Sequence, residues 1–278
     1  MSDNPATLVY FVGGGPGDPE LLTLKAVRVL ERADVVIYTD SLTDPRITQF
    51  CKPGVEVHGS AGMALEEIVG IILKAVREGR TVARVHSGDP SIFGAVLEQI
   101  VALDKAGVRS EVIPGVSSVF AAATALGVEL TAPEVSQTVI LTRAEGRTPM
   151  PDGEKLPDLA RHQATLVLYL SSALIGKVVD ELLQGGYPPE TPAALVYRAS
   201  WPDQKIVRAP LNDLAARVRA EKITAHGIII VGRVLDPALR ESAPKSKLYD
   251  ASFTHSFRVA KGRRGAGPTR KALARKGK

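Results

Sequence analysis

Short apolar runs rich in β-branched residues alternate along the chain with stretches in which apolar side chains recur about every three to four positions, starting from Leu8-Val9-Tyr10-Phe11-Val12. That rhythm predicts an α/β fold with a mostly parallel sheet. The spacing predicts a helix from Thr23, whose hydroxyl suits an N-cap, to Arg32, then strands over Val35–Tyr38 and near Val55–Val57. A helix follows over Ala64–Glu78, with Leu65, Ile68, Val69, Ile72 and Val76 on one face and Gly79 as its stop. Strand Thr81–Val85, helix Phe93–Lys105, strand Glu111–Ile113 and helix Ser117–Leu126 complete a first half.

The pattern restarts around Pro133. It predicts strands at Thr138–Leu141 and Thr165–Tyr169, helix Leu174–Leu183, strand Ala193–Tyr197, helix Leu211–Ala220 and strand Ile228–Val231. We therefore expect an N-terminal α/β domain at 1–134, a C-terminal α/β domain at 135–240 and a tail at 241–278. The stretch Arg143–Pro157, rich in Gly, Pro and charge, reads as a long loop after a strand, a common location for function in such folds.

Three glycine-containing segments each follow a predicted strand of the first half. Gly13-Gly14-Gly15-Pro16-Gly17-Asp18-Pro19 comes after the first, Ser87-Gly88-Asp89-Pro90-Ser91-Ile92-Phe93-Gly94 after Thr81–Val85, and Pro114-Gly115-Val116-Ser117-Ser118 after Glu111–Ile113. Glycine permits tight turns and close approach of a ligand to the backbone, and ligands of open α/β sheets sit at the carboxyl ends of strands. Each segment alone is also what a plain strand-to-helix turn looks like; three on one sheet edge describe a cleft. The first segment lacks the third glycine of the dinucleotide fingerprint, and no Gly-Lys-Ser/Thr follows it, so dinucleotide oxidoreductase and P-loop readings both weaken.

Composition adds limits. With 45% hydrophobic and 23% charged residues the chain is ordinary globular material, and its one cysteine, Cys51, cannot pair within the chain, which favours a reducing compartment, by default the cytoplasm. The start has neither a basic nor an apolar leader pattern, and no apolar run is long enough to span a bilayer, so no membrane association is expected. The net charge of +5 is concentrated: residues 241–278 hold 11 of the 35 Lys and Arg but only Glu241 and Asp250 of the 30 acidic residues. Residues 1–240 are thus mildly acidic, and the segment Gly262–Lys278 reads as a disordered basic extension. A nucleic-acid-binding protein acting through that tail is the rival class. Against it, no aromatic residue follows Phe257 to stack on bases.

The three glycine segments, in this order and spacing, resemble the tetrapyrrole methylases over about residues 7–235. The resemblance implies two α/β domains with S-adenosylmethionine in the cleft between them, a tetrapyrrole as methyl acceptor, and usually a homodimer. It places Pro16, Ser87, Gly88, Asp89, Ser117 and Ser118 of the first half at the cofactor, with Leu170, Ala199 and Gly227 of the second. Within the family, Leu141-Thr142-Arg143-Ala144-Glu145-Gly146-Arg147-Thr148-Pro149 and the ending Leu248-Tyr249-Asp250 with His255 and Phe257 resemble the branch that methylates precorrin-4 at C11; another precorrin, or the cobalt-containing intermediate, is the alternative acceptor. The uroporphyrinogen branch carries an aspartate directly after the tyrosine of the second strand and a lysine shortly afterwards. Here Thr39 follows Tyr38, Asp40 comes one position later and Gly59 stands at the lysine's place, which argues against that acceptor.

Methyl transfer from a sulfonium to carbon is an in-line displacement, so the protein must chiefly align two reactants and exclude water. It calls for no metal, and His58, His86, His162, His226 and His255 are scattered rather than spaced as ligands. A tetrapyrrole carries several carboxylates, which Arg side chains hold through paired hydrogen bonds. Arg84, Arg147 and Arg198 are the candidates for holding them, although Arg84 and Arg198 would equally suit surface ion pairs. Arg143 and Glu145 are the candidates nearest the chemistry, Glu145 either orienting the arginines beside it or accepting a ring proton.

Overall fold

The computed structural model describes residues 9–242, 244–258 and 260. The first sheet comprises β1 (Val9–Gly13), β2 (Val35–Tyr38), β3 (Glu56–Gly59), β4 (Val82–His86) and β5 (Ser110–Ile113), all parallel, in the order β3-β2-β4-β1-β5. Around it run α1 (Leu24–Leu30), α2 (Leu65–Arg77), α3 (Val96–Lys105) and α4 (Ser118–Leu126). Successive side chains of a strand point to opposite faces. Val9 and Phe11 accordingly pack with Ile37, Ile72 and Leu103 under α2 and α3, while Tyr10 and Val12 pack with Leu30, Val36 and Val85 under α1. Burial on both faces explains why β1 and β2 read as unbroken apolar runs.

Local signals set several helix ends. The Thr23 hydroxyl accepts the Ala26 N–H at 3.2 Å, and the Glu67 carboxylate reaches back to the Ala64 N–H at 2.6 Å. Gly79 (φ +74°) and Gly127 (φ +64°) take the left-handed conformation just past α2 and α4.

The second sheet comprises β6 (Val139–Arg143), β7 (Thr165–Tyr169), β8 (Pro192–Tyr197), β9 (Lys205–Pro210) and β10 (Gly227–Val231) in the order β6-β7-β10-β8-β9. Only β6 and β7 are parallel; every other pair is antiparallel. One face is covered by α5 (Leu156–Ala160), α6 (Ile175–Gln184) and α7 (Leu211–Ala220). The other face receives α4, whose Val119, Ala122 and Leu126 pack with Val167, Val196 and Ile230. A helix that closes the first half in sequence thus forms half of a core with the second.

The parallel arrangement expected of the first sheet is found there and is complete. Two features depart from the sequence pattern. The edge strand β9 was not foreseen, because only Val207 of its six residues is fully buried. Helix α3 begins at Val96, not Phe93: Phe93 (φ +53°) and Ala95 (φ +49°) are left-handed, and a Cβ on Gly94 would lie 2.3 Å from the Pro90 carbonyl oxygen, so residues 90–95 coil tightly before the helix starts. Among the described residues, no helix is long and apolar enough to cross a membrane. The Gly262–Lys278 extension lies outside the described residues.

Candidate active site

The three glycine segments meet because their backbones touch. They follow β4, β1 and β5, three adjacent strands, and converge at the carboxyl edge of the first sheet. A Cβ on Gly115 would lie 2.2 Å from the Gly88 carbonyl oxygen, and one on Gly13 would lie 2.4 Å from the Gly115 Cα, distances no side chain tolerates. Gly15 and Gly88 exchange backbone hydrogen bonds of 3.2 and 2.8 Å. The Asp89 carboxylate ties the second segment to the third by accepting the Gly115 N–H at 2.9 Å, and to its own turn by accepting the Ser91 N–H. Burial works against the Asp89 charge, but its hydrogen bonds from Ser91 and Gly115 outweigh that and hold the carboxyl below its usual range.

These segments wall a cavity of about 400 Å³, within the usual range of small-molecule sites. The second half supplies the facing wall. Tyr169, at the end of β7, shares a 2.8 Å hydrogen bond with Ser117, and burial, only partly offset by that bond, raises its phenol further above neutral pH. Ser172 clasps both backbone groups of Gly227, at 3.2 and 3.3 Å. His226 lies beside Arg198, which donates to its Nδ1 at 3.4 Å; burial, and then the Arg198 charge, push its pKa down.

All nine positions expected at the cofactor line this one cavity: Pro16, Ser87, Gly88, Asp89, Ser117 and Ser118 from the first half, and Leu170, Ala199 and Gly227 from the second. Arg198 lines it too. The other predicted residues lie elsewhere. Arg84 is buried at 5% exposure inside the first half, its guanidinium bonded to the Gln99 side chain and to the carbonyls of Ile37 and Val85; burial lowers its pKa to about 10, and it remains a cation at neutral pH. Arg143 donates to the carbonyls of Ala144, Thr148 and Pro149 and so closes its own loop. Glu145 accepts the Met150 N–H at 2.9 Å, which chiefly holds its carboxyl below the usual range. Arg147 is exposed. None of these four residues lines the cavity.

Sequence reasoning missed several of the walls. Phe93, Tyr169, Trp201 and His226 all face the cavity. Two of them carry a signal in the backbone: Phe93 and His226, with the foreseen Leu170 and Arg198 and the nearby Ala95 and Ser200, account for six of the nine non-glycine residues at positive φ among those described. Such conformations are costly for residues with a Cβ and gather where surrounding structure enforces them, commonly at ligand sites. Among the described residues, no group of three or more His, Cys, Asp or Glu is placed to hold a metal ion.

Comparisons with known proteins bear on this geometry. Residues 8–215 match the family model described as Tetrapyrrole (Corrin/Porphyrin) Methylases. The chain is 54% identical over 250 residues to the cobalt-precorrin-4 C(11)-methyltransferase of Methanocaldococcus jannaschii, covering 90% of this chain and 95% of that one. It is 46% identical to the precorrin-4 C(11)-methyltransferase of Pseudomonas aeruginosa, covering 90% and 98%. Among solved structures, a cobalt precorrin-4 methyltransferase described as a cobalamin biosynthetic enzyme superposes with a TM-score of 0.82 at 50% identity, covering 85% of this chain and 99% of that one. A uroporphyrin-III C-methyltransferase from Thermus thermophilus, complexed with S-adenyl homocysteine, gives 0.68 at 35% identity, covering 82% and 98%.

Proposed function

Because the chain belongs to the tetrapyrrole (corrin/porphyrin) methylases, we propose that it transfers a methyl group from S-adenosylmethionine to C11 of precorrin-4, giving precorrin-5 in corrin biosynthesis. The observation that carries this reading is the cavity itself: three backbone-packed glycine segments of one half, closed by the end of β7 and the Arg198–Trp201 turn of the other, in a chain about half identical to relatives named for that reaction. Relatives named for the cobalt-containing and the metal-free acceptor both match over 90% of the chain, so the acceptor is precorrin-4 with or without cobalt.

The residues present suit the donor. A cradle in which Gly13 and Gly115 leave no room for a Cβ brings backbone N–H and C=O groups to the cavity wall, and the Ser87 and Ser117 hydroxyls add polar contacts. Ile92, Phe93, Leu170 and Ile228 supply apolar walls that keep water from a charged sulfonium. Bound there, the donor supplies an electrophilic methyl carbon for a nucleophilic ring carbon of the acceptor. The protein's part is alignment: Pro16, Ser87, Gly88, Asp89, Ser117 and Ser118 hold the donor from one side, and Leu170, Ala199 and Gly227 from the other. Arg198, at the cavity wall, holds an acceptor carboxylate, and the exposed Arg147 meets another. Arg143 and Glu145 shape the loop that presents Arg147. Arg84 serves the first half as a buried strut.

We take the chain to be two domains meeting at residues 134 and 135, working in the cytoplasm as a homodimer without nucleic-acid or membrane partners. Exposed apolar side chains support the dimer: Leu97, Val101 and Val112 line one groove, Phe120 and Leu141 another. The deciding experiment incubates the protein with S-adenosylmethionine and precorrin-4, with and without cobalt, and locates the new methyl by carbon NMR. A methyl at C11 is expected; a methyl at C17 or C20, or none, defeats the assignment.

A further inference from the structure

The turn after β8 is built to hold a fixed shape against the first glycine segment. Arg198 (φ +45°) and Ser200 (φ +71°) are both left-handed, the Trp201 N–H returns to the Arg198 carbonyl at 2.9 Å, and the Gln204 side chain accepts the Ser200 N–H at 2.8 Å. From this turn two bonds cross to the other half of the molecule. The Trp201 indole N–H donates to the Pro16 carbonyl at 2.9 Å, and the Ser200 hydroxyl accepts the Asp18 N–H at 3.0 Å. The indole also abuts Gly17, where a Cβ would sit 2.1 Å from its Cδ1. The Arg198 guanidinium lies over the indole, 4.9 Å from the ring centroid. Trp201 therefore touches both the donor-side loop, Gly13–Gly17, and the arginine assigned to the acceptor, and it lines the cavity with them.

We propose that Trp201 is the positioning residue for the methyl donor: its indole N–H anchors the Pro16 carbonyl and its ring sets how deeply the Gly13–Gly17 segment stands, so the second half of the chain fixes the width of the donor end of the cavity. The proposal rests on the reading of this cavity as an S-adenosylmethionine site and adds a residue to it. Pro16 has no N–H to bond back to its surroundings and its ring forbids local adjustment, so its carbonyl is the handle by which a neighbour can hold this segment. Gly17 is required for the same reason, since any side chain there would displace the ring.

Trp201 is the one tryptophan of the chain, so its fluorescence reports the site without labelling. Titration of the unmutated protein with S-adenosylhomocysteine, by calorimetry and tryptophan emission in parallel, should give the same saturable curve in both. Trp201→Phe keeps a ring and removes the N–H; its Kd for S-adenosylhomocysteine should rise about three- to tenfold, the effect of one hydrogen bond. The donor KM should rise with it while the acceptor KM holds. Gly17→Ala keeps the tryptophan but displaces it; the same weakening should appear, with emission shifted to the red before ligand is added. Thermal unfolding of each variant separates weakened binding from lost fold.

Two variants that fold and bind S-adenosylhomocysteine with the unmutated affinity overturn the proposal. An emission spectrum unmoved at saturating ligand, where calorimetry shows binding, overturns it as well. A weakening spread equally over donor and acceptor KM assigns Trp201 a merely structural role and also overturns it. If the unmutated protein shows no saturable binding, the donor reading fails at that first step and the proposal with it, an outcome visible before any variant is made.

Discussion

The loops at the carboxyl ends of β1, β4 and β5 and the loop after β6 both follow parallel strands, yet different forces hold them. The first three are backbone packed on backbone: Gly13 and Gly115 approach so closely that no Cβ fits at either, and Gly88, whose carbonyl oxygen they press against, holds a left-handed φ of +64°. The loop after β6 is held by side-chain hydrogen bonds, Arg143 bonding three carbonyls and Glu145 one N–H of the loop itself, while Ser171 and Lys177 reach in from outside it. The difference teaches where residue identity carries geometric information. A glycine demanded by contact says where another backbone lies, whereas an arginine with a long flexible stem says only that something within reach accepts hydrogen bonds.

The largest effect should come from filling the glycine contact. Gly115→Ala places a methyl within 2.2 Å of a carbonyl oxygen and 2.7 Å of the Gly13 Cα, both backbone atoms that cannot rotate away. We expect about 3 kcal/mol of destabilisation in chemical denaturation and loss of S-adenosylhomocysteine binding. An alanine variant of unmutated stability would show that the loops do not need this approach.

A smaller effect concerns His86, at the end of β4 directly before the second glycine segment. Its carbonyl accepts the Gly14 N–H at 2.7 Å, and its buried Nε2 has no partner. Burial, reinforced by the Arg84 charge and only partly offset by a hydrogen bond to the Gly94 backbone, lowers its pKa to about 3. The sign follows from that depression. Above about pH 6.5 the ring is neutral in both folded and unfolded chains and its contribution is intact; as pH falls from there towards 3 only the unfolded chain takes the proton, so stability falls. Between pH 7 and 5, unfolding free energy should fall in the unmutated protein by about 2 kcal/mol more than in His86→Asn. Equal slopes for the two proteins would contradict the burial argument.

The smallest effect is expected in the loop after β6. Glu145→Gln should change kcat/KM by less than about threefold and leave the pH profile unmoved, since the carboxylate serves to shape the loop. A drop of about a hundredfold or more, the size of a lost general base, would restore the proton-accepting role and reverse the comparison.

Much was legible in the sequence. Strands Val35–Tyr38 and Thr165–Tyr169 and helix Leu211–Ala220 fall where the apolar pattern predicts them, because burial on both faces of a sheet or along one stripe of a helix leaves a periodic trace. The edge on which the cavity opens was legible because glycine at a strand end is a record of backbone contact; the nine positions that line it were named by the resemblance to the tetrapyrrole methylases. Three things only the tertiary structure decided. Helix α4 closes the second half's core, a choice made by which apolar face lay opposite Val119, Ala122 and Leu126 and not by their own pattern. Arg84, Arg143, Arg147 and Arg198 are alike in sequence, but one is a buried strut, one a loop clasp, one an exposed surface residue and one a cavity wall, because a guanidinium takes whichever carbonyls or rings folding brings within its reach. Trp201 meets Pro16 across 185 positions of chain, and no local rule connects residues that far apart.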